Sequence, residues 1–273
     1  MHLAQMRNHL LPVLLLAVPG SASAADLSLT TSANYSAGKY GGTEPTRATI
    51  ASVGASATLG EWALSATLPY VTIDTGSSEL TVGGVVVRGD EAASGIRGFG
   101  DVTLTAGRSL PFEWLPLDLN VQGQVKLPTG ARSISTGKLD GGLDVELSKT
   151  LGFLSPFLSA GYRFYGDSAD LELENGWAVS AGATLTFGKV TMIGSYDWSQ
   201  SPIGLTSAEE IFAVASGPFG SHWSWTIYGS KGLNEGAADK MVGFGITRRF
   251  SSSGLPTPLL KSRREAEAAL DQK

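Results

Sequence analysis

Asp101, Asp118, Lys126, Asp144, Glu146, Arg163, Lys189 and Asp197 are the side chains of this sequence whose types and spacing could do electrostatic work together. Each falls on the polar phase of a stretch in which polar and apolar residues alternate, so extended backbone would turn all eight to the same side. Charges of both signs gathered around one axis select ions if that axis is open, and neutralise one another in pairs if it is closed. Asp118, Lys126, Asp144, Glu146 and Arg163 lie on neighbouring segments and are the candidates for a constriction or a salt-bridge network. Tyr165 and Tyr228 share the inward phase, which makes them the aromatic candidates for ligand contact.

Other chemistry finds little support. Acyl transfer needs a nucleophile beside a positioned base, most often histidine. His2 and His9 lie in the leader described below, and His222 stands beside Trp223 with no recognisable Ser-His or Asp-His pairing. A turn histidine and no enzyme are expected, with lipid hydrolysis lost in a His222→Ala variant as the contrary result. The acidic groups Asp144 with Glu146, and Asp170 with Glu172 and Glu174, invite a metal hypothesis, but their spacing matches no dedicated calcium loop. There is no cysteine and no histidine cluster, so neither a disulfide, a zinc site nor any other metal or cofactor is expected. A formal charge of -5 makes nucleic acid a poor partner.

The elements that would position these residues announce themselves most clearly at 117–127. There Leu117, Leu119, Val121, Val125 and Leu127 take one face, and Asp118, Asn120, Gln122, Gln124 and Lys126 the other. Similar alternation bounded by turn residues recurs at 27–37, 47–59, 61–73, 99–109, 115–127, 140–150, 152–165, 174–187, 189–200, 208–217, 221–231 and 238–250. Twelve segments, each about the 9 to 11 residues of a tilted membrane-crossing strand, predict a transmembrane antiparallel up-and-down β-barrel. Leu143, Val145, Leu147, Val179, Leu185, Val190 and Met192 would face lipid.

Connection lengths alternate too. Those after the even segments are short and those after the odd ones long, the arrangement of outer-membrane barrels with both termini in the periplasm. Two aromatic bands agree with it: Trp62, Phe112, Trp114, Phe153, Phe187, Phe219, Trp223, Trp225 and Phe250 at one end, and Tyr35, Tyr70, Phe164, Tyr165, Trp177, Tyr196, Trp198 and Tyr228 at the other. The longest outer connection, 74–98, carries two β-prone runs around Gly83 and Gly84 that read as a hairpin.

Residues 1–24 have Arg7, an apolar run at 10–18 and Ala22, Ser23 and Ala24, the layout of a secretory signal peptide cleaved after Ala24. The barrel then occupies 25–250. Residues 251–273 form a tail: a Ser, Gly and Pro linker followed by a charged, alanine-rich stretch of helical propensity, placed in the periplasm where it has a partner to touch or none.

Gly98-Phe99-Gly100-Asp101-Val102-Thr103-Leu104, then Val125-Lys126-Leu127-Pro128-Thr129-Gly130, together with Leu68-Pro69-Tyr70, resemble motifs of the outer-membrane family named for the meta-pathway of phenol degradation. The resemblance covers about 26–250 and implies a transporter in the Gram-negative outer membrane, for aromatic or other small hydrophobic compounds. Expected partners are outer-membrane lipid, the barrel assembly machinery and a small-molecule solute. Two functions are carried forward: a channel passing small solutes through a narrow polar lumen, and a largely plugged structural or adhesion barrel acting through its loops or tail. An outer-membrane hydrolase is a distant third.

Overall fold

The structure, a computed structural model, describes residues 26–42, 44–75, 80–82, 85–87, 95–111, 117–166 and 172–250. The leader at 1–24, the tail at 251–273, Phe112, Trp114 and Asp170 lie outside them. All described elements are strands. They run β1 (Asp26–Gly38), β2 (Thr46–Leu59), β3 (Trp62–Thr75), β4 (Leu80–Val82), β5 (Val85–Val87), β6 (Ile96–Phe99), β7 (Thr103–Pro111) and β8 (Asp118–Lys126). They continue as β9 (Asp140–Ser148), β10 (Leu154–Phe164), β11 (Gly176–Phe187), β12 (Val190–Ser199), β13 (Ala208–Phe219), β14 (Trp223–Gly232) and β15 (Lys240–Phe250).

Each wall strand pairs antiparallel with its neighbours in sequence, and β1 pairs with β15 from Leu27↔Phe250 to Ala37↔Lys240. The sheet is thereby a closed barrel of twelve strands, counting β6 and β7 as the two halves of the fourth. Closure removes the free edge, so every strand finds backbone partners on both sides without water, the condition for crossing a bilayer. β4 and β5 form the hairpin expected in the 74–98 connection, with Leu80 opposite Val87.

Exposure alternates along the wall as the sequence predicts. In β1 Ser28, Asn34 and Ser36 are buried, while Leu27, Leu29 and Tyr35 between them are exposed. Leu143, Val145, Leu147, Val179 and Met192 are exposed outside. Trp62, Phe153, Phe187, Phe219, Trp223 and Phe250 form an outer band at the end that carries the short turns, and Tyr35, Tyr70, Phe164, Trp177 and Tyr196 one at the long-loop end. Cations join the first band: Arg108 lies 5.8 Å over Trp62, and Arg248 lies 5.4 Å over Trp223 and 4.9 Å over Phe250. Such amphipathic pairs suit the boundary where apolar stems meet polar head groups.

The fourth wall strand departs from the expectation of an unbroken 99–109. Tyr70 faces Phe99 and Thr67 faces Thr103, so four steps on one strand oppose three on β3. The extra residue is a bulge at 100–102, and it moves the inward phase from Ile96 and Gly100 to Asp101 and Thr105. Ladder ends also shift: the fifth wall strand begins at Asp118 rather than 115 and the eighth at Gly176 rather than 174.

Candidate functional site

The inner wall is two-faced. Following the pairing registers from strand to strand, Asn120, Glu146, Ser159, Ser180, Asp197 and Glu210 fall in one continuous row across β8 to β13. One step nearer the long loops, Gln122 faces Asp144 and Asp144 faces Gly161; one step further, Gly142 faces Arg163. The opposite wall carries a different row. Val214, Tyr228, Gly243, Asn34, Ile50 and Val71 are successive partners from β13 round to β3. Beside it run Phe212, Ser230, Met241, Ser36, Ala48 and Ile73. A polar, acidic wall therefore looks across the lumen at a mainly apolar one.

Specific bonds hold the acidic wall. Arg163 donates from Nη2 to Asp144 Oδ1 at 2.7 Å and from Nη1 to the Tyr162 carbonyl at 3.2 Å. Glu146 accepts from Asn120 Nδ2 at 3.1 Å. Asp197 accepts hydroxyl bonds from Ser180 and, at 2.9 Å, from Ser195. Glu210, its direct cross-strand neighbour, is 1% exposed. On the apolar side Phe212 and Tyr228 stack with centroids 6.4 Å apart and planes 26° from parallel.

Nearer the long-loop end the connection 127–139 folds inward and narrows the mouth. Asp101 ties it down: Oδ1 accepts from Gly130 N–H at 2.8 Å and Oδ2 from Ser135 Oγ at 2.7 Å. Lys126 Nζ bridges Asp101 Oδ2 at 3.4 Å and Asp140 Oδ2 at 2.5 Å. Ala131 donates its N–H to the Phe99 carbonyl at 2.9 Å, and Ile134 comes to rest buried against Gly98 and Gly100. The two sequence motifs thus meet as one joint. A Cβ at Gly130 would stand 2.8 Å from the Gly100 backbone and 3.0 Å from Asp101 Oδ1, which is why glycine occupies the turn. A second loop residue, Tyr40, enters the same mouth in the left-handed conformation (φ 54°) and donates its hydroxyl to Ser36 at 2.7 Å.

The structure thus brings Asp101, Lys126, Asp144, Glu146, Arg163 and Asp197 onto the inner wall. Asp118 shares their phase but is exposed at the short-turn mouth. Lys189 does not join them: it is exposed in the turn between β11 and β12, where the alternation that placed it inward has already ended. Tyr228 is buried on the inner wall, and Tyr165 is half-buried at the rim just past β10. Sequence reasoning missed Asp140, Glu210 and Tyr40. It also found no partner for His222, whose Nδ1 lies 2.7 Å from Ser221 Oγ. Both residues of that pair are exposed in a turn outside the lumen. Among the described residues no three Asp, Glu, His or Cys side chains are grouped to hold a metal.

No protein-family model and no curated protein matches this sequence. Solved structures do resemble the fold. An outer membrane channel from Pseudomonas putida F1 superposes with a TM-score of 0.65 at 13% identity, over 85% of this chain and 98% of that one. The NanC porin gives 0.52 at 11% identity, over 81% and 100%. The translocator domain of the autotransporter NalP from Neisseria meningitidis gives 0.51 at 15% identity, over 90% and 96%. The fold is that of the outer-membrane β-barrels among these structures. At these identities the likeness speaks for architecture, and the function must be argued from this chain's own residues.

Proposed function

We propose that this protein is a channel of the Gram-negative outer membrane that passes small solutes through a narrow polar lumen. The observation that carries the reading is the polarity of the inner wall of a twelve-strand barrel. Among the described residues that wall carries Asp101, Asp140, Asp144, Glu146, Asp197 and Glu210 beside Lys126 and Arg163. Twelve strands enclose more room than the eight whose own side chains fill the interior, and a polar, charged lining of that room suits water and solute.

Purified, refolded protein in a planar bilayer tests this directly. Discrete single-channel currents are expected, reduced by a solute that enters the lumen; phenolic, sugar and nucleoside compounds are the first to try, the phenolic set following the family resemblance. Silence under all conditions would favour a structural or adhesion barrel. In this reading residues 1–24 direct export, the barrel assembly machinery inserts 25–250 into outer-membrane lipid, the short turns and both termini face the periplasm, and 251–273 is available there for a contact. No catalytic step is assigned to the protein.

A further inference from the structure

A row of cations crosses the outer face of the barrel at its long-loop end, where conduction makes no use of it. We infer that this row binds the head group of a multiply phosphorylated glycolipid of the outer leaflet, with the acyl chains lying on the wall below. The inference rests on the membrane placement in the channel reading, long loops outward, and adds a lipid-binding site to it.

The pairing registers assemble the row. Lys231 and Lys240 lie side by side across β14 and β15, just past the ladder pair Ser230↔Met241. Lys240 faces Ala37 on β1, and Ala37 faces Arg47 on β2. A step nearer the middle of the wall, Thr72 of β3 faces Arg97 of β6. All four cations are exposed and share the outward phase of Ile227, Val242, Val53 and Phe99 on their own strands. None of the four side chains forms an ion pair with a described residue. Carboxylates stand nearby: Asp74 opposite Arg47, Asp239 beside Lys240, and Glu209, which accepts from the Tyr196 hydroxyl at 3.2 Å. The row from Lys231 to Asp74 therefore holds three cations and one carboxylate.

Place and spacing name the ligand. Three strand steps separate Lys231 from Arg47, roughly 15 Å at the usual strand spacing, so one phosphate cannot meet both and a head group carrying two can. Directly below the row Tyr35, Val242, Ile227 and Phe244 are exposed on the same outer face, an apolar surface for acyl chains under a charged rim. The cations are also confined to one sector: the outward phase of β9 to β12 carries no basic residue, and Phe164, Trp177 and Tyr196 occupy its long-loop end. A local cluster of this kind is a site, whereas a general girdle would run all round. At the other end of the barrel Arg108 and Arg248 lie over aromatic rings, and Arg108 is paired with Glu61 as well.

Purified, refolded protein in an uncharged detergent, followed by native mass spectrometry, tests the site with three probes: bis-phosphorylated lipid A, the same lipid stripped of both phosphates, and phosphatidylglycerol. The first should be retained roughly tenfold or more over each of the others. Combining Lys231→Gln, Lys240→Gln and Arg47→Gln should weaken its retention on the order of tenfold to a hundredfold, because each cation beside an anionic head group contributes about a factor of five. Arg108→Gln with Arg248→Gln, at the opposite end, should leave it unchanged. Equal retention of either other lipid, or equal loss in both sets of variants, would overturn the inference. The single variants carry the comparison if the triple one fails to fold. Membrane placement is read separately: Lys138→Cys, an exposed loop position in a chain without cysteine, should react with a membrane-impermeant maleimide on intact cells. Labelling without the lipid preference sinks the inference alone. Labelling only after the outer membrane is opened sinks the placement and the inference together.

Discussion

Asp101 is the residue through which two loops and two strands are joined. Its carboxylate receives a backbone N–H, a serine hydroxyl and an ammonium group, so removing it takes the partner from Gly130 N–H and Ser135 Oγ and leaves Lys126 to Asp140 alone. Asp101→Ala is expected to cost about 2–3 kcal/mol, since hydrogen bonds to charged groups contribute about 1.5–3 kcal/mol each and the freed donors regain some water. Released from its tether, 127–139 should fluctuate, so the prediction reads out as noisier and larger single-channel currents with a lower thermal midpoint. Quiet currents of wild-type size would argue that the loop is held by its other bonds. Tyr228 makes a sharper steric case. Its ring lies flat against Gly243, where any Cβ would collide with ring carbons. Gly243→Ala should destabilise by ~1–3 kcal/mol through overpacking, and adding Tyr228→Ala to that chain should recover part of the loss. Urea midpoints of all four chains in lipid vesicles would reveal the coupling; strict additivity would show that ring and glycine are independent.

At the scale of the element, the strand's period of two decides what each substitution meets. Val145 points outward between Asp144 and Glu146, which point in. Val145→Arg places a cation against lipid and should cost about 2–4 kcal/mol if the site lies near the midplane. Gln122→Arg places the same group among lumenal carboxylates and should cost less while shifting ion selectivity towards anions. Comparing folding midpoints and reversal potentials of the two variants tests the assignment of faces; similar costs with no change in selectivity would contradict it. The same alternation explains what could be read beforehand and what could not. Around 117–127 one phase is wholly apolar and the other wholly polar, so the inward set was legible. Along β13 both phases carry apolar groups, Ile211 and Ala213 outside against Phe212 and Val214 inside, and the inward position of Glu210 was hidden. Lys189 was misplaced because a parity count was carried into a turn, where side chains no longer alternate. The bulge at 100–102 escaped notice because an extra residue leaves composition untouched.

For the whole molecule, closure by β1 and β15 couples the stability of every strand to the first and last. Deleting 255–273 leaves that ladder complete and is expected to leave insertion and conductance unaffected; failure to insert would mean that the tail takes part in assembly. Truncation from 240 onward would instead remove the partner of β1 and open an edge along both flanking strands, so no heat-stable barrel should form. Twelve strands enclose more room than the eight whose interior side chains can fill, and less than the sixteen of an open porin. Inward-folded loop residues such as Ile134 and Tyr40, both buried, use part of that room at the long-loop end.

The amino-acid order alone determined the barrel, its strand count, the lipid-facing belt with its aromatic rims and most of the inward charges, because these follow from a backbone that alternates sides and a solvent that differs on the two sides. Which inward residues stand together was decided only by the folded sheet. Neighbours across strands, such as Asp197 and Glu210 or Tyr228 and Gly243, depend on register, and register is fixed by turns, a bulge and closure acting jointly over the whole wall. So the period of two gave each residue a side, and the register of the closed sheet set an acidic stretch of the inner wall opposite a mainly apolar one.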